Sequence, residues 1–68
     1  MYDYGDWVRV IDTAPRSLRP GETGSVIAIL EGRKVPTYRT FKSNLVYMIE
    51  FEDGEAIDIE DLYLERIQ

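Results

Sequence analysis

Short runs of apolar, β-branched residues alternate with long polar interruptions along this chain, and within the runs the apolar period is two. Residues 7–11, Trp7-Val8-Arg9-Val10-Ile11, predict a first strand with Val8 and Val10 on one face. Residues 12–23 hold Pro15, Pro20 and Gly21 and predict a long first loop, with a turn at Pro20-Gly21 and Leu18 tucked beneath it. Residues 24–30 are apolar at consecutive positions, which predicts a central second strand buried on both faces, with Gly24 at its start in a positive-φ conformation. Residues 31–44 are polar and basic and predict a second long loop. In residues 45–52, Tyr47, Ile49 and Phe51 share one strand face, and Met48, Glu50 and Glu52 share the other. Asp53-Gly54 predicts a hairpin into residues 55–59, with Ile57 and Ile59 inward and Asp58 outward. Glu60-Asp61-Leu62 predicts a single helical turn near 60–63, because carboxylates suit the start of such a turn. Residues 63–67 close the chain as a fifth strand. Five short strands in one all-β domain predict a small barrel, whose closure removes exposed edges.

The order of short motifs adds a resemblance. Gly5-Asp6-Trp7-Val8-Arg9-Val10, then Gly21-Glu22-Thr23-Gly24-Ser25-Val26, then Tyr47-Met48-Ile49-Glu50-Phe51-Glu52-Asp53-Gly54, then Glu60-Asp61-Leu62 resembles the SH3-like small barrels in their KOW-type layout. The similarity runs over nearly the whole chain. Three groups share the layout. The first is the accessory barrels of photosynthetic electron transfer, namely the ferredoxin–thioredoxin reductase variable chain and a small accessory barrel of photosystem I. The second is the RNA- or protein-binding KOW domains, and the third is uncharacterised bacterial stand-alone barrels. The resemblance implies a non-catalytic domain that supports or docks a partner. Tyr2-Asp3-Tyr4 is similar to the opening of signalling SH3 domains, but those carry acids in the first long loop and a later Trp-Trp pair. Here that loop holds Arg16 and Arg19, and Trp7 is the one tryptophan.

Composition removes most chemistry. With 68 residues, one domain fits. Without cysteine or histidine the chain lacks soft metal ligands, disulfides and the usual base and nucleophile of hydrolytic triads. The longest apolar run, Val26 to Leu30, is five residues, and the acidic N-terminus is unlike a targeting segment, so a cytoplasmic protein with no membrane association is expected. Net charge is −5 but segregated: −2 over residues 1–12, +4 over 13–43 and −7 over 44–68.

The candidate sites follow the charge. The loop 31–44 interleaves Arg33, Lys34, Arg39 and Lys42 with Tyr38 and Phe41, a pattern suited to an acidic protein partner or to phosphate contact with base stacking. The competing reading has Tyr38 and Phe41 folded back as a cap on the barrel. Arg16 and Arg19 extend the basic set. The acidic stretch from Glu50 to Glu65 fails the EF-hand pattern, since from Asp53 the fifth and sixth positions are Ile57 and Asp58. Glu50 and Glu52 lie about 7 Å apart along one strand face, but a barrel filled by side chains offers no dry cleft to raise one carboxyl. Trp7 lies opposite Val8 and Val10 and is expected to be covered by Tyr2 and Tyr4 or by the last strand. The sequence therefore predicts a non-catalytic protein-binding or accessory barrel, without cofactor, monomeric or weakly self-associating. Its contact residues are Arg33, Lys34, Tyr38, Arg39, Phe41 and Lys42, with Arg16 and Arg19. RNA or DNA binding through the same loop is the alternative, disfavoured by a pI near 4.5.

Overall fold

The period-two runs form five antiparallel strands in a computed structural model that describes residues 2–31 and 45–67. They are β1 (Trp7–Val10), β2 (Thr23–Glu31), β3 (Leu45–Phe51), β4 (Ala56–Glu60) and β5 (Leu64–Arg66). The sheet order is β4-β3-β2-β1-β5. Helical structure among the described residues is limited to two single 3-10 turns, Arg16–Leu18 in the first loop and Asp61–Tyr63 between β4 and β5. The all-β, five-stranded architecture with one helical turn before the last strand is therefore as expected. Closure is not. The ladder ends at β4 on one side and β5 on the other, with no β4–β5 pairing among the described residues. The two outer strands are instead joined across the end of the sheet by the Asp61–Tyr63 turn, and β5 is only three residues long.

Alternate residues of each strand build one core: Val8 and Val10 from β1, Val26 from β2, Tyr47, Ile49 and Phe51 from β3, Ile59 from β4 and Leu64 from β5. Full burial of side chains of this size contributes about 1.5–3 kcal/mol each. Leu18 packs against this core from the first loop, as expected. Tyr2 closes one end. Its ring meets Tyr47 edge-on at 5.3 Å, its N–H donates to the Tyr47 hydroxyl and its own hydroxyl donates to the Leu64 carbonyl. Burial raises the Tyr2 pKa above its ordinary value.

β2 departs from expectation in an instructive way. It pairs with both β1 and β3 and is central, but it is not buried on both faces, since Ile27 is 41% exposed. A bulge between Val26 and Ala28 sets Val26 opposite Ile49 and Ile29 opposite Tyr47. The inward positions thus switch from even to odd at Ile27, and an unbroken apolar run is how such a phase change reads in sequence.

Gly24 also differs. It does not adopt positive φ; the glycines that do are Gly5, Gly21 and Gly54. A Cβ on Gly24 would lie 2.6 Å from Ile49 Cγ2 and 2.7 Å from the Glu50 carbonyl oxygen, so glycine is required by the close approach of β3. Positive φ is used instead at Gly21, third residue of a turn closed by Glu22 N–H on Arg19 O at 3.2 Å, with Pro20 second. Gly54 plays a similar part in the β3–β4 hairpin, where Gly54 N–H donates to Phe51 O and Phe51 N–H to Glu55 O, both at 2.9 Å. Asp58, expected outward, is only half-exposed, and its Oδ1 is buried without a hydrogen-bond partner.

Candidate functional site

The predicted basic residues separate into two groups. Arg33, Lys34, Tyr38, Arg39, Phe41 and Lys42 lie outside the described residues. Arg16 is exposed in its 3-10 turn. Arg19 is committed internally: its guanidinium donates to Glu22 Oε1, Asp53 Oδ1 and Glu55 Oε1 at 2.6–3.1 Å and lies 4.3 Å from the Phe51 ring centroid. One side chain thereby ties the first loop to the β3–β4 hairpin. Hydrogen bonds to Glu22 and Asp53 raise the Arg19 pKa further. The Arg19 guanidinium, helped by the Glu55 N–H, holds the Asp53 carboxyl below its ordinary value. The left-handed backbone of Arg19, φ 61°, aims the guanidinium at these partners while Pro20-Gly21 turns the chain away.

Two further arginines among the described residues are likewise engaged. Arg9 bridges Glu65 at 2.5 Å and Asp12 at 2.6 Å, and the pair raises its pKa. Arg66 binds Asp6 at 3.0 Å and lies 5.1 Å from the Tyr2 ring centroid. The Asp6 carboxyl is held below its ordinary value by the Asp3 N–H and then by Arg66. Among the described residues, no three carboxylates converge as ligands of a metal would.

The most distinctive surface surrounds Trp7. The sequence predicted a covered indole; the structure leaves it 54% exposed. The reason lies in the two tyrosines meant to cover it. Tyr2 is drawn onto Tyr47 and Leu64, while Tyr4 sits at the tip of a turn closed by Asp6 N–H on Asp3 O and is itself 68% exposed. Register then places Trp7 in a row across the outer face: Trp7 opposite Ser25, Ser25 opposite Glu50 and Glu50 opposite Ala56. On the other side Ile67 N–H reaches Trp7 O at 3.5 Å, and Ile67 is also exposed. Ile27, displaced outward at the bulge, adds a third large apolar side chain to this face. The available signal was the phase of β1: if Val8 and Val10 point inward, Trp7 and its cross-strand neighbours must point outward.

No protein-family model, no curated protein and no solved structure matches this chain.

Proposed function

We propose that this chain is a non-catalytic protein-binding or accessory domain of the SH3-like type. The observation that carries the reading is the outer face of β1, where Trp7 and Ile67 stand side by side in solvent. Contiguous exposed apolar side chains, tryptophan above all, are characteristic of contact surfaces. The strand order, with one 3-10 turn leading into β5, supports the SH3-like resemblance. The absence of histidine and cysteine from the sequence supports a role exercised by surface and shape. A second reading, nucleic-acid binding through residues 33–42, draws on the four cations interleaved there with Tyr38 and Phe41.

Titration of the labelled protein with single-stranded RNA at low and moderate salt separates the two. The protein-binding reading expects no binding beyond weak contact. Binding that falls steeply with salt and disappears in an Arg33→Ala/Lys34→Ala/Lys42→Ala variant overturns it in favour of nucleic acid.

A further inference from the structure

The outer face of β1 has a definable partner chemistry. Trp7, Ile67 and Ile27 supply the apolar surface, and Tyr4 is exposed in the turn leading into β1. Glu50 occupies the same cross-strand row, two strands from Trp7 and so about 10 Å away. Glu65 lies on β5, two residues before Ile67. The positive charges nearby are already matched, Arg9 by Glu65 and Asp12, and Arg66 by Asp6. All 13 acids of the chain lie in residues 2–31 and 45–67, against four arginines, so these segments together are strongly negative.

Charge complementarity selects the occupant. A nucleic acid approaching this face meets carboxylates, and a second copy of the chain brings the same negative charge against it. We infer that the Trp7 face docks a basic amphipathic polypeptide segment. Its apolar side chains cover Trp7, Ile67 and Ile27, while its lysines or arginines lie over the indole and against Glu50. This inference rests on the protein-binding reading and assigns that reading's partner class.

Trp7 is the chain's single tryptophan, so its fluorescence reports the face directly. The probe is a tryptophan-free peptide of about 14 residues alternating lysine with leucine or valine. The comparisons are the same peptide with glutamate for lysine, and a lysine–serine peptide of equal charge. The expected result is a saturable blue shift of Trp7 emission with the basic amphipathic peptide alone. Its affinity should fall at least about fivefold in Glu50→Lys, which keeps the apolar surface, and at least about fivefold between low and physiological salt. In Trp7→Ser, peptide-induced amide shifts at Ile27 and Ile67 should need correspondingly more peptide. The inference is overturned by equal response to the acidic peptide, by an unchanged Glu50→Lys affinity, or by amide shifts that map away from β1. Concentration-dependent dimerisation that itself buries Trp7 also overturns it. Flat peptide titrations with flat RNA titrations reject this partner class and leave the protein-binding reading standing, whereas salt-steep RNA binding rejects that reading.

Discussion

At the scale of single residues, Gly24 separates two reasons for needing glycine. A position that requires positive φ tolerates asparagine and loses about 1 kcal/mol on substitution by alanine. Gly54 is such a position, with φ +88° and nothing within 4 Å of an added Cβ. Gly24 has ordinary φ but faces the Glu50 carbonyl and Ile49 Cγ2 at 2.7 and 2.6 Å, and the carbonyl belongs to a paired strand that cannot move aside. Gly24→Ala is therefore expected to cost about 3 kcal/mol, the upper end of overpacking effects. That is a loss of more than about 10 °C in midpoint for a domain of this size. Gly54→Ala should lose about a third as much. Thermal denaturation of the two variants side by side checks the ordering, and equal losses would contradict the close-approach account. Sequence pattern pointed to the right residue for the wrong reason, because proximity to β3 is a tertiary fact that no local pattern encodes.

At the scale of elements, Arg19 couples a loop to a hairpin, and that coupling has a pH signature. The Asp53 carboxyl is lowered in the folded state, first by the Arg19 guanidinium and then by the Glu55 N–H. A group with a depressed folded pKa stabilises the fold fully above its unfolded value, near 3.9 for aspartate, and loses that contribution as pH falls through the lower folded value. Stability should thus drop below about pH 4, and Asp53→Asn should flatten that acid limb while lowering stability at pH 7. Denaturant midpoints from pH 7 to pH 2.5 test it; a wild-type-like acid limb in Asp53→Asn would show that the contact carries no linkage. The elements themselves were largely legible. Tyr47, Ile49 and Phe51 alternate with Met48 and Glu50, so β3 follows directly from the period of two. Turn chemistry placed the Pro20-Gly21 and Gly54 turns. What was not legible depends on pairing between strands. The bulge at Ile27 imitates a doubly buried strand, and the exposure of Trp7 depends on Tyr2 being claimed by Tyr47 across 45 residues of sequence. Arg19 looked like a free cation because its partners Asp53 and Glu55 are 34 and 36 residues away.

At the scale of the whole molecule, the charge distribution sets two electrostatic effects against each other. The arginine–carboxylate pairs at 2.5–3.0 Å stabilise the fold and are weakened by salt. They are surface pairs, and such pairs contribute little individually. Opposing them is repulsion among 13 acids in a chain of net charge −5, folded into a body 29 × 24 × 21 Å across. The screening length decides which effect salt removes first. At about 10 mM it is about 30 Å and spans the body, so every carboxylate feels the others; at 0.1 M it is about 10 Å. Long-range repulsion is then largely gone, while contacts at hydrogen-bond distance persist. Sodium chloride raised from about 10 to about 200 mM should therefore increase the thermal midpoint by a few degrees. The gain should shrink near pH 4.5, where the molecule approaches neutrality. A midpoint that falls with salt at pH 7 would mean that the Arg9, Arg19 and Arg66 pairs outweigh the net repulsion. A fold stabilised by salt has negative charge that is unneutralised when no partner is bound, and a basic partner would relieve the same repulsion that salt screens.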